Sequence, residues 1–428
     1  MHTSATPNVQ IAVTCGSLNQ NTFASGSPLA TDPNTYLIFS YNALFNYCTA
    51  SQITISSCSS GKMWNCLPFD LLSKIFSLLA PDSLARARSV CGHWHESGKL
   101  NPLTTTRNFP AWFVGMPARN RGQYCYIHNP GMDTWHELHL NFLPDPVRYV
   151  ASVDSLILLK YSHSTILKLG LCNPFTRQFR QLPLLNVART NPAVGVLVMG
   201  RGPFPFFQVY VAGGMSDLPS GSATYESTLE MYNSRNDTWQ IVGSMPMEFA
   251  VRLTVWTPNE CVYSNGVLYW MTSARAYSVM GFEIGPNIWI ELRVPMADRL
   301  EFAALVERNG RLTLVGGTCG SDACVWELSE GYSWVLIDKV PIELSVKLVG
   351  DKRNWCGAKC VGSKGAICLY RDLGSGMIVW REVGENGMWE WNWVDGCCFV
   401  RGKQVHNMQI KGVLLYPDLA TSCNEMCK

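Results

Sequence analysis

A short phrase that recurs along the chain decides the fold, and a clear copy is residues 236–246, Asn-Asp-Thr-Trp-Gln-Ile-Val-Gly-Ser-Met-Pro. Each copy is a strand-like segment around an aromatic residue, and a Leu-Pro, Met-Pro or Val-Pro step often follows. The aromatic residues of the six copies are Trp135, Phe179, Trp239, Trp289, Trp334 and Trp391. The five intervals between the first and the last average about 51 residues, and a period of about 50 residues indicates a repeat architecture.

Glycine-containing turns divide each repeat further. Gly213-Gly214 and Gly316-Gly317 each follow an apolar strand and lie two periods apart. Asn265-Gly266 and Asn309-Gly310 are turn dipeptides in front of strands, and residues 363–365 take that place one repeat later. The pattern predicts four-stranded antiparallel blades. The paired glycines would let the chain pass where blades crowd, and the repeated aromatic residue would fill the gap between neighbouring blades.

This part of the chain resembles kelch repeats, and more closely the degenerate kelch-like region of plant F-box proteins. The phrase that carries the second resemblance is residues 172–183, Cys-Asn-Pro-Phe-Thr-Arg-Gln-Phe-Arg-Gln-Leu-Pro. The resemblance covers residues 106–420 and implies a mainly β fold, a kelch-like β-propeller of six blades. An irregular array of β-strands without a closed ring is the alternative, because the spacings between the aromatic residues range from 44 to 60.

The two ends of the repeat region suggest how a ring would close. The first copy offers three strands, residues 111–116, 123–128 and 134–138, and no convincing fourth. Residues 412–416 are an apolar, β-prone run left over after the sixth copy. Because a ring of blades avoids exposed sheet edges by closing on itself, we expect residues 412–416 to pair within the blade that contains Trp135.

A helical module precedes the repeats. Leu71, Leu72, Ile75, Phe76 and Leu79 recur at helical spacing and form one wide apolar stripe. Pro68 stands where the first helical turn tolerates a missing N–H, and Pro81-Asp82-Ser83 separates this helix from the next. A module of about 40 residues buries too little surface to be stable alone, so some of these side chains should contact another protein. Packing on the chain's own β-region is the alternative.

Residues 64–94 resemble an F-box, the helical module that joins a protein to a cullin-based ubiquitin ligase. The resemblance lies in Leu67-Pro68, the apolar run to Leu79, Leu84, and Val90-Cys91 followed by Trp94. It implies docking on a Skp-type adaptor, and through it on a cullin. The residues expected to bind the adaptor are Leu67, Pro68, Leu71, Leu72, Ile75, Leu84, Val90, Cys91 and Trp94. Gly92 departs from the pattern, since the family usually has a basic residue there, and glycine within a helix costs about 1 kcal/mol relative to alanine.

Composition sets further limits. The charged fraction is 15% and the formal net charge is +2, which argues against a broad electrostatic surface for nucleic acid. The 17 cysteines are scattered, and residues 1–60 contain no lysine or arginine that would begin a secretory signal. Reduced thiols in the nucleus or cytoplasm are therefore expected. Residues 1–60 are polar and are expected to be disordered; residues 61–105 would be the F-box, 106–420 the propeller and 421–428 a tail.

The sequence offers little for catalysis. Some kelch propellers are copper oxidases, which would require two histidines at the metal, but beyond residue 140 only His163 and His406 occur. The pairs Cys356/Cys360 and Cys423/Cys427 have no histidine nearby for a zinc site. No phosphate-binding glycine loop or nucleophile elbow is present, and no apolar run reaches the length of a membrane helix. We expect no catalytic residue, no metal and no cofactor.

The sequence therefore predicts a substrate-receptor subunit of a Skp–cullin–F-box ubiquitin ligase that recruits one or more target proteins through its propeller. The partners would be the adaptor, the cullin and a target, without a membrane and without direct contact to nucleic acid. A non-degradative scaffold or transcriptional cofactor that uses the same propeller is the alternative function.

Overall fold

The computed structural model describes residues 69–423, with gaps at 78, 80, 101–109, 119–123, 145, 201–203, 218–221, 256–260, 364, 385–386, 398, 401–402, 405–407 and 420. All of the described residues belong to one compact unit, Pro68–Lys428. The polar segment 1–60 and the predicted adaptor residues Leu67 and Pro68 lie outside the described residues.

Five helices occur in the described part of the chain: α1 Phe69–Ser77, α2 Pro81–Arg88, α3 Gly92–Leu100, α4 Met247–Val255 and α5 Ile342–Val349. The first three precede the β-region, and α4 and α5 lie in connections between blades. The strands in chain order are β1 Trp112–Pro117, β2 Tyr124–Asn129, β3 Thr134–His139, β4 Val147–Val153, β5 Leu156–Tyr161, β6 Leu169–Asn173, β7 Gln178–Gln181, β8 Ala193–Gly200, β9 Phe206–Ala212, β10 Met215–Asp217, β11 Ala223–Tyr225, β12 Thr228–Asn233, β13 Thr238–Ser244, β14 Cys261–Ser264, β15 Val267–Ser273, β16 Tyr277–Glu283, β17 Ile288–Arg293, β18 Leu300–Arg308, β19 Arg311–Thr318, β20 Cys324–Leu328, β21 Trp334–Lys339, β22 Lys359–Ser363, β23 Ala366–Tyr370, β24 Met377–Val383, β25 Met388–Val394, β26 Phe399–Val400, β27 Lys403–Gln404 and β28 Ile410–Leu415.

These strands form six four-stranded antiparallel sheets, which we number as blades 1 to 6. In order from first to fourth strand they are β28-β1-β2-β3, β4-β5-β6-β7, β8-β9-β12-β13, β14-β15-β16-β17, β18-β19-β20-β21 and β22-β23-β24-β25. The pairs β10-β11 and β26-β27 are small hairpins outside the blades. The predicted fold, a six-bladed β-propeller preceded by a helical module, is confirmed.

The first strands of the blades form a complete inner circle. Each first strand contacts those of both neighbouring blades, and β28 of blade 1 touches β4 of blade 2 on one side and β22 of blade 6 on the other. Because this contact series returns to its starting strand, the array is a closed ring. The alternative of an open, irregular set of strands is excluded.

The ring closes through a strand from the other end of the chain. Strand β28 pairs antiparallel with β1 along its full length, from Trp112 opposite Leu415 to Pro117 opposite Ile410. The predicted closing element is confirmed, although the strand begins two residues earlier than residue 412. It also contributes four buried aliphatic side chains, Ile410, Val413, Leu414 and Leu415, so closure adds to the core as well as to the backbone ladder.

The gaps between neighbouring blades hold the core. Six clusters of buried apolar side chains occupy them, one cluster in each gap. The repeated tryptophan of the fourth strand also donates its indole N–H to the preceding blade. The bonds run from Trp135 to Asp395 O (2.8 Å), Trp239 to Pro183 O (2.9 Å), Trp289 to Ser244 O (3.1 Å), Trp334 to Arg293 O (2.8 Å) and Trp391 to Asp338 Oδ2 (3.0 Å).

The glycine positions fit their predicted roles. Asn265-Gly266 and Asn309-Gly310 have positive φ at both residues, which is the conformation of a type I′ hairpin turn. A Cβ at Gly317 would overlap the ring of Trp355, and one at Gly214 would lie 2.8 Å from Thr190 O. The paired glycines therefore do stand where the chain passes close to neighbouring segments.

Candidate functional site

Helices α1, α2 and α3 pack around a small apolar centre. Leu72 and Phe76 lie one turn apart on α1, Leu84 on α2 and Trp94 on α3, and all four are buried. The Phe76 and Trp94 rings meet edge to face with centroids 5.4 Å apart. Two residues of the predicted helical stripe, Leu72 and Phe76, thus belong to the core of the module.

Other apolar side chains of the module face outward. Val90, in the turn between α2 and α3, is 54% exposed, and Phe69 at the start of α1 is also exposed. Leu71, Ile75 and Cys91 are half-buried. A surface of this kind on so small a module is available to a protein partner.

The nine residues predicted to bind the adaptor therefore fall into different environments. Leu72, Leu84 and Trp94 are buried within the module, so their part in binding would be to hold its shape. Leu71, Ile75, Val90 and Cys91 reach the surface, and Leu67 and Pro68 lie outside the described residues. The adaptor-binding role of all nine stays a prediction.

Gly92 occupies a different place from the one expected for a residue inside a helix. It is the first residue of α3, it is exposed, and a Cβ built on it would meet nothing within 4 Å. A glycine at a helix start is not penalised in the way that one in the interior is. This departure from the family pattern therefore does not weaken the helix.

The chain after β28 connects the helical module to blade 2. The Arg88 guanidinium of α2 donates to Leu419 O (3.3 Å). Asn173, at the end of β6, donates through Nδ2 to Asp418 O (3.2 Å) and Thr421 O (2.9 Å). The Cys423 N–H then bonds Gln178 Oε1 (3.1 Å). Burial lowers the pKa of Arg88 although Asp418 and Glu96 act in the opposite direction.

The residues considered for catalysis show no assembled site in the described part of the chain. No group of three or more His, Cys, Asp or Glu side chains there is placed to hold a metal ion. His163 is exposed in the β5–β6 loop, while His406 and Cys427 lie outside the described residues. Burial raises the pKa of Cys125 and Cys368 to about 12 and that of Cys423 to about 11, so these thiols stay protonated at neutral pH. No described helix is both long and apolar enough to cross a membrane.

The helical module and the propeller together define a class of protein, and two family models agree with it. An F-box-like model matches residues 64–99, and a Kelch motif model matches residues 208–246, which include most of blade 3. The predicted similarity to plant F-box/kelch-repeat proteins is thereby confirmed for both parts of the chain.

Individual relatives extend the similarity over most of the chain. Protein UNUSUAL FLORAL ORGANS of Arabidopsis thaliana is 24% identical over 369 residues, which cover 79% of this chain and 80% of that protein. An F-box/kelch-repeat protein of the same plant is 22% identical over 354 residues, 78% of this chain and 83% of its own. SKP1-interacting partner 15, also from Arabidopsis thaliana, is 30% identical over 156 residues, 29% of this chain and 39% of that protein.

Proposed function

We propose that this protein is the substrate-receptor subunit of a Skp–cullin–F-box ubiquitin ligase. The observation that carries the proposal is the order of its parts, an F-box-like helical module directly followed by a closed kelch-like propeller. The name of SKP1-interacting partner 15 adds support, because it records an adaptor interaction for a relative. Val90 and Phe69 supply exposed apolar side chains of the kind that anchor protein interfaces.

The mechanism is proximity. The module binds a Skp-type adaptor and through it a cullin, and the propeller holds a target protein. When the target and the charged ubiquitin-conjugating enzyme share one assembly, transfer becomes effectively intramolecular, and the effective concentration of the target lysine rises. The chain needs no catalytic residue or cofactor of its own for this role. We propose that it acts in the nucleus, the cytoplasm or both.

Adaptor binding tests the proposal directly. The full chain, co-expressed with a Skp-type adaptor and a cullin, should co-purify with both. Leu67→Ala combined with Pro68→Ala, and separately Val90→Asp, should each lower adaptor affinity at least tenfold, because a few apolar anchors carry most of the binding energy. Val335→Asp is the matched control, since Val335 is comparably exposed on the propeller strand β21.

The outcomes separate the possible roles. Full adaptor capture by the Leu67/Pro68 and Val90 variants would refute the proposed docking face, and absence of capture by the wild-type chain would refute the function. Adaptor binding together with an unchanged half-life of the bound target after loss of this protein would indicate a non-degradative scaffold instead.

A further inference from the structure

Four connections between blades begin with the same three-residue step, a buried apolar residue, a proline and an exposed large apolar residue. The steps are Leu182-Pro183-Leu184, Met245-Pro246-Met247, Val294-Pro295-Met296 and Val340-Pro341-Ile342. The residue before each proline is buried in the gap between blades. The residue after it is exposed: Leu184 by 55%, Met247 by 53%, Met296 by 41% and Ile342 by 51%. We call these four residues the apolar arc.

The apolar arc lies on one face of the propeller. Its members directly follow the fourth strands of blades 2 to 5, namely β7, β13, β17 and β21. Because neighbouring strands of each sheet run in opposite directions, the end of every fourth strand lies at the same face of the ring, where the next first strand begins. Four consecutive blades therefore present one large apolar side chain each to the same side.

The helical module connects to the opposite face. Trp112 at the start of β1 pairs with Leu415 at the end of β28, and this end of blade 1 is the one away from the ends of the fourth strands. The chain that leads to the module and the chain that continues to Leu419, where Arg88 binds, both leave from there. An adaptor bound to the module would thus leave the apolar arc free.

The fold does not require exposed apolar side chains at these four positions. Scattered exposed apolar residues are normal, but an equivalent position occupied in four consecutive blades is a pattern of the kind that marks interaction sites. Met296 also has φ of +50°, in the left-handed region where asparagine or glycine is favoured. A methionine held there at a conformational cost points to a role outside the fold.

Acidic groups next to the apolar arc indicate the chemistry of its partner. Glu248 and Glu343 are exposed and directly follow Met247 and Ile342. In both helices, α4 and α5, the basic residue one turn after the glutamate is paired with a different acidic residue. Arg252 pairs with Glu291 (2.8 Å), and Lys347 lies 3.8 Å from Asp395. These two carboxylates therefore remain available to a basic partner beside Met247 and Ile342. At Met296 the exposed Arg293 and Arg299 flank Asp298, and the exposed Lys339 lies three residues before Ile342.

We propose that the apolar arc is the surface on which the propeller holds its target, a folded protein with an apolar patch bordered by lysine or arginine. The inference rests on the proposed function and specifies its target site. Packed sheets lie about 10 Å apart, so the arc follows roughly 30 Å of the ring over four blades. That span suits a standard protein interface, about 800 Å² on each partner, better than a single short peptide.

The test uses paired variants of the tagged full chain, co-expressed with the adaptor in plant cells. The arc variant carries Met247→Asp and Ile342→Asp. The control carries Met388→Asp and Ile288→Asp, the same residue types, which are exposed at the starts of the fourth strands β25 and β17. Proteins recovered with the wild-type chain are identified by mass spectrometry, and their affinities are measured with purified components. We expect at least one protein to lose tenfold or more in affinity for the arc variant only, while adaptor binding is unchanged.

A third variant separates binding from folding. Met296→Asn should raise the melting temperature, because asparagine tolerates φ of +50°, and should weaken target binding in the same preparation. The inference is overturned if the arc variant retains every partner, if the control loses the same partners, or if the wild-type chain recovers no protein beyond its ligase components. Self-association of the wild-type chain that the arc variant abolishes would assign the arc to a second copy and would also overturn it. If the wild-type chain does not bind the adaptor, the proposed function is refuted. This result is independent of the outcome for the apolar arc.

Discussion

Blade 1 and blade 3 share one architecture but are held together by different means. Blade 1 takes its first strand from the far end of the chain, whereas blade 3 comes from the continuous segment 193–244. Blade 1 relies on backbone pairing and apolar burial by β28. Blade 3 is held to the connection that precedes it by a buried ion pair between Arg189 and Glu230. The stability of the ring thus depends on a long-range contact at one blade and on a local polar network at another.

The polar network of blade 3 is centred on Arg189 and Glu230, whose side chains are fully buried 2.6 Å apart. Arg189 also donates to Gly213 O (3.2 Å) and to Thr228 O (3.0 Å). Glu230 accepts from the backbone N–H groups of Asn186 (2.8 Å) and Val187 (3.1 Å). These extra bonds satisfy both charged groups. The pair therefore holds the connection that leads into blade 3 next to Gly213, the first of the paired glycines.

The two arrangements predict how far the effect of a truncation or substitution should extend through the ring. Loss of β28 removes a strand that all the rest of the ring needs for closure, so neighbours that stabilise one another should fail together. Loss of one member of the Arg189–Glu230 pair leaves the ring closed and places the cost within blade 3. Four predictions test this contrast.

The largest effect is expected from a stop codon after residue 405, which removes β28. The four buried aliphatic side chains of β28 contribute about 1.5–3 kcal/mol each, or roughly 6–12 kcal/mol together, as much as the net stability of a typical domain. The melting temperature of the whole β-domain should fall sharply, measured by circular dichroism. A stop after residue 423 is the control and should melt as the full chain does. An unchanged curve for the shorter chain would show that β28 does not close the ring.

Next in size is the effect of breaking the ion pair in blade 3. Arg189→Met or Glu230→Leu alone should lower the free energy of unfolding by about 3–5 kcal/mol, because each leaves a buried charged group without its partner. The double variant Arg189→Met/Glu230→Leu should recover part of this loss, since it leaves no unpaired charge. Urea denaturation of the three variants measures the coupling. Additive losses in the double variant would mean that the two side chains act independently.

A smaller effect compares the two blades at the same tryptophan. Trp135 of blade 1 and Trp239 of blade 3 each donate one indole N–H to a carbonyl of the preceding blade. Trp135→Phe and Trp239→Phe should each cost about 1–3 kcal/mol, the loss of a hydrogen bond and of some packing volume. Similar losses in thermal denaturation would show that the gap between blades 6 and 1, where the ring closes, is packed as tightly as the gap between blades 2 and 3. A negligible loss for Trp135→Phe alone would show that blades 6 and 1 are packed less tightly against each other.

The two blades also differ in what their sequences reveal. Strand β28 was predictable, because an apolar run without a blade and a blade without a first strand are complementary local signals. The Arg189–Glu230 pair was not, since its members lie 41 residues apart and neither belongs to the repeated phrase. The same holds for Asn173, whose contacts with Asp418 and Thr421 join residues about 250 positions apart. Periodicity reports which face of an element is buried, but the partner of a single polar side chain depends on the assembled ring.

The helical module shows the same limit on a smaller scale. Its apolar spacing predicted helices and a buried stripe, and Leu72, Phe76 and Trp94 do form the core. The spacing alone does not separate such core residues from Val90, which faces solvent, because both types are apolar. Only the crossing of three helices decides which side chains remain for a partner.

The smallest expected effect is a pH dependence confined to blade 1. His128 is buried in β2 and its Nε2 lies 2.9 Å from Asp133 Oδ1. Burial lowers the pKa of His128 below the usual value of about 6.5, and Arg381 and His136 add to this, although the bond and charge of Asp133 oppose it. The folded chain therefore binds this proton less readily than the unfolded chain. Stability should be full above about pH 6.5 and should decline as the pH falls from there through the folded pKa.

Substitution of the histidine isolates this contribution. His128→Gln keeps a hydrogen-bonding side chain near Asp133 but removes the titration, so its melting temperature should fall less between pH 7 and pH 5 than that of the wild-type chain. His163→Gln is the control for replacing a histidine as such, because His163 is exposed in the β5–β6 loop. Blade 3, residues 193–244, contains no histidine. If His128→Gln kept the wild-type slope, the acid sensitivity of the ring would have to come from groups other than His128.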